Sequence, residues 1–121
     1  MSDVYFFDSY AVIEVLRGNK NYAKYLEADI ITTQLTLFEV YYALLKHDVD
    51  HAEKFIKRYE DYTVSYTSEI IRSAARLKFT NKKKNLSMTD CIGYALALDY
   101  GIKFLTGDKE FKDMKNVEYV K

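Results

Sequence analysis

Short apolar runs alternate with amphipathic stretches along most of the chain. Val4-Tyr5-Phe6-Phe7 is stopped abruptly by Asp8, which is the pattern of a buried strand. Ala11, Val12, Val15 and Leu16 recur at helical spacing, predicting a helix over 10–17 with Gly18 as the residue just past its end. A second short helix is expected over 21–27 and a brief strand over 30–32. Thr36 then opens a strongly apolar helix that runs to residue 45. Residues 50–61 interleave charges with Ala52, Phe55, Ile56 and Tyr59, as an amphipathic surface helix does. A strand is expected over 63–66. Ser68 caps a helix to about residue 79, and Ser87 caps another over 88–100, stopped by Gly101. Lys103-Phe104-Leu105-Thr106 reads as a strand ending at Gly107-Asp108, and 117–120 as a last, edge-like strand.

Strands interleaved with helices predict parallel βαβ units: an α/β fold, specifically a three-layer α/β/α sandwich around a mostly parallel sheet. In such sheets the ligand site lies beyond the carboxyl ends of the strands. Asp8 and Asp108 each follow a predicted strand, so both belong on that rim.

Composition narrows the picture. The 121 residues fit one domain, 1–121, with no linker-like segment or internal repeat. Acidic and basic residues number 18 each, so nucleic-acid binding has no support from overall charge and must come from local patches. Cys91 is the only cysteine, which excludes an intrachain disulfide and suits a reducing compartment. Met1-Ser2-Asp3-Val4 lacks the basic and apolar regions of a signal peptide, and no stretch approaches the roughly 18 apolar residues of a membrane span. A cytoplasmic protein without membrane attachment is expected.

Four carboxylates carry the candidate chemistry. Glu39 is the only charge on the helix over 36–45, and Asp90 the only one between Met88 and Leu98. A helix apolar nearly all round should be largely buried, and a buried unpaired carboxylate is costly. Each acid also has a plain structural reading. Thr36-x-x-Glu39 and Ser87-x-x-Asp90 match the capping box. Asp8 suits the cap of the helix that follows it, and Asp108 suits a turn after Gly107. Gathered on one rim, the four would repel strongly, since two charges 4 Å apart cost about 4 kcal/mol at an effective dielectric of 20. Raised carboxyl pKa values or a divalent cation must relieve that repulsion. All-oxygen ligands suit Mg²⁺ or Mn²⁺ better than Zn²⁺.

Phe7-Asp8-Ser9, Leu37-Phe38-Glu39, the run from Leu86 to Cys91 and the run from Leu105 to Phe111 resemble, in order and spacing, the four acidic motifs of the PIN domain family. The segment from Leu86 to Phe111 is most similar to VapC-type toxins. Cys91 stands where that family often has alanine, a mild departure. The resemblance implies a metal-dependent endoribonuclease, with Asp8, Asp90 and Asp108 as direct ligands of Mg²⁺ or Mn²⁺. It implies that Glu39 binds through water or orients the attacking water, and that Ser9 and Thr106 support the site with hydroxyls. It also implies a cognate protein antitoxin, sought on the exposed faces of the helices over 10–27 and 38–59, and a homodimer. The alternative is a PIN-fold protein of RNA binding or processing with little activity.

Between Ile70 and Thr89 there is no acid, while Arg72, Arg76, Lys78, Lys82, Lys83 and Lys84 are basic. This stretch is a candidate RNA contact, although a solvated helix face reads equally well. His47 and His51 share helical spacing but lack a further zinc ligand, and Asp48 and Asp50 around them mark a helix start. Cys91 has no histidine nearby and reads as structural, and Gly93 as a site of close helix packing. A phosphotransfer protein needs a lysine at a strand end, whereas Lys103 begins its strand. Most of the 12 tyrosines are expected in the core and at its rim rather than stacked on bases.

Overall fold

The computed structural model describes residues 3–121. Met1 and Ser2, on which part of the leader expectation rests, lie outside the described residues. Four strands, β1 (Val4–Phe7), β2 (Asp29–Ile31), β3 (Lys103–Thr106) and β4 (Val117–Tyr119), form one sheet in the order β2-β1-β3-β4. Every pairing is parallel, so the carboxyl ends of all four strands share one rim. The chain leaves β1 toward β2 on one side and later fills β3 and β4 on the other. The crevice between β1 and β3 is therefore the topological switch point.

The pleat of β1 and β3 explains the three layers. Phe6 and Phe104 face one side and pack with α4 (Ser68–Thr80) and α5 (Met88–Tyr100). Phe7 and Leu105, the next residue in each strand, face the other side and pack with α1 (Ser9–Leu16), the 3₁₀ helix Lys20–Glu27, α2 (Gln34–Leu45) and α3 (Val49–Tyr59). Gly93 lets α5 press onto the sheet as expected: a Cβ there would stand 2.5 Å from the Phe6 ring and 3.3 Å from Phe104. Gly101 ends α5 in the left-handed conformation, at φ +68°. Tyr25 and Tyr94, both buried, bond through their hydroxyls. Tyr25 donates to Glu118 Oε2 at 2.6 Å and Tyr94 to the Lys115 carbonyl at 2.5 Å.

Several local expectations are corrected. The cap of α2 is Thr33, whose Oγ1 accepts from the Thr36 N–H at 3.2 Å. Thr36 lies inside the helix, so no capping box links it to Glu39. Thr67, not Ser68, precedes α4 and makes no side-chain cap bond. Residues 63–66 form no strand: β2 ends at Ile31 and the chain turns into α2 at Thr33, leaving one bridge between Thr32 and Thr63. Nor is α2 largely buried. Phe38 is 71% exposed and Tyr42 56%, their rings stacked 6.4 Å apart; only Thr36, Leu37 and Val40 are fully inside.

Candidate active site

The rim chemistry starts from the way each strand hands over to a helix. Asp8 follows β1 and caps α1, its Oδ1 accepting from the Ala11 N–H at 2.8 Å. Its Oδ2 accepts from the Thr106 hydroxyl at the end of β3. Thr106 Oγ1 in turn accepts from the Asp108 N–H at 3.0 Å, and Asp108 caps a 3₁₀ turn through the Glu110 N–H at 3.0 Å. One buried threonine hydroxyl thus ties the ends of the two central strands together. Ser87 caps α5 by accepting from the Asp90 N–H at 3.0 Å, which puts Asp90 in the first turn. Ser9, the first residue of α1, donates to Glu39 Oε1 at 2.6 Å, a contact across 30 residues of sequence. Asp8 and Asp108 thus each cap a helical turn from the rim, whereas Asp90 gives its own N–H to the Ser87 cap.

All four carboxylates line one open cavity of about 350 Å³, together with Ser9. Asp8 is 2% exposed, while Glu39, Asp90 and Asp108 are half-buried. Among the described residues the side-chain ion pairs are Glu14–Arg17 and Glu69–Arg72, so none of the four acids has a cationic partner. Burial is the main cause that pushes the Asp8 carboxyl well above the ordinary carboxylate range. The neighbouring Asp90 and Asp108 charges add to this, against the Thr106 and Ala11 hydrogen bonds. Asp90 is pushed up to about 6, first by burial and then by Glu39 and Asp108, with the Ser87 bond opposing.

Among the described residues no three His, Cys, Asp or Glu side chains stand close enough together to hold a metal ion as a group. His47 and His51 lie elsewhere, exposed in an apolar cleft with Ile13, Leu16, Ala43 and Leu44 between α1 and the α2–α3 turn. Cys91 is buried and unpaired, with its thiol pushed up by burial, as suits a structural role.

The basic stretch does not line the acidic cavity. Arg72 is turned to Glu69, its Nε 3.0 Å from Oε1. Lys84 Nζ donates to the Glu110 carbonyl at 3.0 Å, bracing the turn behind Asp108. Lys82 lies 4.0 Å over the ring of Phe79, while Arg76 and Lys83 are exposed. Lys103 begins β3, at the opposite end of the sheet. The cavity does hold Tyr10, Gly107, Lys109, Tyr119 and Lys121, none of which was singled out from the sequence. Tyr10 and Lys109 were within reach, since each lies within two residues of a candidate acid. Tyr119 enters only through the register that sets it beside Thr106.

The PIN domain family profile matches residues 5–117. Among solved structures, the fold is similar to a toxin–antitoxin complex from Klebsiella pneumoniae, with 20% identity, a TM-score of 0.74, and 94% of this chain and 95% of that chain covered. It is similar to VapBC2 from Rickettsia felis bound to a promoter DNA fragment, with 14% identity, a TM-score of 0.73, and 98% and 99% covered. It is also similar to Mycobacterium tuberculosis VapC20, described as a sarcin-ricin loop cleaving toxin, with 15% identity, a TM-score of 0.72, and 97% and 99% covered. Comparison with curated protein sequences returns no match.

Proposed function

This chain belongs to the PIN domain family, and from that premise we propose that it is a divalent-metal-dependent endoribonuclease, the toxin of a toxin–antitoxin pair. One observation carries the reading: four carboxylates without cationic partners surround one cavity at the switch point, with the Asp8 and Asp90 carboxyls held up in pKa. A structural role does not require such an uncompensated cluster, whereas a hard cation relieves it.

The donor set fits Mg²⁺ or Mn²⁺, being entirely oxygen. Mg²⁺ keeps several waters in its octahedral shell and takes the remaining ligands from carboxylates and substrate phosphate. Asp8, Asp90 and Asp108 are the residues to hold it. When bound, such an ion polarises the scissile phosphate and lowers the pKa of a coordinated water. The chain's own groups do the rest. Thr106 fixes the Asp8 carboxylate, and Ser9 fixes Glu39, which faces the cavity where it can orient a water. Arg76, Lys82 and Lys83 remain candidates for more distant RNA phosphates, and Arg72 and Lys84 for the same role once released from their present partners.

The structural neighbours support the partner side of the proposal, since one is a toxin–antitoxin complex and another is described as a toxin that cleaves the sarcin-ricin loop. We place the antitoxin in the apolar cleft between α1 and α2, and a second copy of the chain is the partner expected in a homodimer. Among the described residues no helix is long and apolar enough to cross a membrane, and a cytoplasmic setting accords with the single unpaired cysteine. The alternative, an RNA-processing protein of this fold with little activity, leaves the charge cluster without a purpose.

The test is incubation of RNA with the purified chain and Mn²⁺, alongside Asp8→Asn and a chelator control. Cleavage should need the metal and fall by at least about 100-fold in the variant. Metal-independent cleavage, or a variant as active as the wild type, overturns the reading.

A further inference from the structure

The acidic cavity has a cationic and aromatic side that the carboxylates do not account for. Lys109 and Lys121 line it with Tyr10 and Tyr119. Lys109 opens the 3₁₀ turn directly after Asp108. Lys121 lies just past β4, on a segment tied down at three points. The Val120 N–H donates to the Thr106 carbonyl at 2.9 Å, Asn21 Nδ2 donates to the Lys121 carbonyl at 2.9 Å, and the Tyr22 hydroxyl donates to the Val120 carbonyl. Tyr10 is held as firmly. Its ring fills the space beside Gly107, where a Cβ would lie 2.1 Å from Tyr10 Cε1 and 2.6 Å from the Val120 carbonyl. Only glycine at 107 lets the ring lie against the turn that carries Asp108.

Neither lysine is in an ion pair among the described residues, although four carboxylates face the same cavity. An RNA strand entering that cavity meets four negative charges. A divalent ion offsets two, and two lysine ammonium groups on the same cavity are within the lining that the strand's flanking phosphates would meet. The Tyr10 and Tyr119 rings line the same cavity, the Tyr119 ring with Lys112 Nζ 5.5 Å from its centroid. We propose that Lys109 and Lys121, with the Tyr10 and Tyr119 rings, form the subsite that holds single-stranded RNA next to the scissile phosphate. The lysines take flanking phosphates and the rings take an unpaired base. The inference rests on the ribonuclease reading of the same cavity. It selects single strands because the bases of a duplex are stacked on each other and unavailable to the tyrosines.

The experiment measures binding of a fluorescent oligouridylate of about 12 nucleotides to the full chain in Ca²⁺, across a range of salt, with kinetics in Mn²⁺ in parallel. Each phosphate contact on a single strand contributes about 0.7 to the slope of log K against log salt, so Lys109→Ala/Lys121→Ala should lower the slope by about 1.4. The same variant should raise KM about tenfold with kcat within about twofold. Tyr119→Ala should weaken binding about tenfold while Tyr119→Phe keeps it. Lys103→Ala, at the far end of β3, should match the wild type, and circular dichroism confirms that each variant is folded. An unchanged slope in the double variant, wild-type binding by Tyr119→Ala, or equal affinity for a blunt duplex overturns the subsite. Metal-dependent cleavage by the wild type would then still stand. Conversely, a lysine-dependent slope without any cleavage upholds the RNA contact at the two lysines but sinks the nuclease reading, and with it the place of that contact beside a scissile phosphate.

Discussion

Replacing Asp90 by asparagine should make the metal-free protein more stable, although it removes a residue proposed to hold the ion. Asp90 sits in the first turn of α5 with its carboxyl pushed from the ordinary 3.8 to about 6 by burial and by Glu39 and Asp108. A tenfold change in proton affinity is worth about 1.4 kcal/mol, so holding this group ionised near neutrality costs the fold roughly 3 kcal/mol. Asparagine removes the charge and keeps the backbone N–H that Ser87 caps. It forfeits the favourable carboxylate at a helix N-terminus, about 0.3–1 kcal/mol, leaving a net gain of about 2 kcal/mol. Unfolding entropy of about 2.1 cal/mol/K per residue makes 1 kcal/mol worth roughly 4 °C in a chain of this length, so Tm should rise by about 8 °C. The sign follows from a folded-state pKa that is raised. Between 3.8 and 6 the folded chain binds more protons than the unfolded one, so stability falls as pH rises through that window and levels off above it. At pH 4 the native Asp90 is already protonated, and the advantage of Asp90→Asn should shrink to about 0.5 kcal/mol, roughly 2 °C. Calorimetric scans in chelator at pH 7.5 and pH 4 read both numbers. Adding Mn²⁺ at 100 times its Kd should stabilise the wild type by about 2.7 kcal/mol and the variant less. A variant no more stable than wild type at pH 7.5, or equally advantaged at pH 4, would refute the account of the charge cluster.

Two further outcomes test the frame beneath the site. Thr106→Val removes the hydroxyl shared by Asp8 and the Asp108 N–H, and should cost about 1–3 kcal/mol in urea unfolding along with most of the RNA cleavage. Thr106→Ser should keep both, and a valine variant as stable and active as wild type would show the bridge to be idle. Gly93→Ala drives a methyl to 2.5 Å from the Phe6 ring and should cost about 1–3 kcal/mol by the same measurement. An unchanged urea midpoint would mean that α5 is not pressed on the sheet as described.

Much of this protein was legible along the chain. Apolar periodicity located the four strands of the sheet and the main helices, because it reports which face of a local segment is buried. The alternation of strands and helices forced a parallel sheet, and a parallel sheet puts whatever follows its strands on one rim. That step alone brought Asp8 and Asp108 together, and Ser87 marked the start of the helix that carries Asp90. Gly93 and Gly101 were readable because a missing side chain has few other uses in those contexts.

What periodicity cannot report is which local face meets which. Thr33 rather than Thr36 caps α2 because β2 ends at Ile31 and the chain is already helical from Gln34. The Ser9–Glu39 bond joins groups 30 residues apart, and no local pattern encodes it. The basic run from Arg72 to Lys84 drew attention by its density, yet the cations lining the carboxylate cavity are Lys109 and Lys121, placed there by a turn and by the register of β4 on β3. The exposed Phe38 and Tyr42 make the same point, since an apolar residue signals a surface that favours burial and does not say against what. Residue types and their spacing set the local elements and the chemistry on offer. Strand order and register, which are properties of contacts between distant segments, decided which of those groups share a cavity.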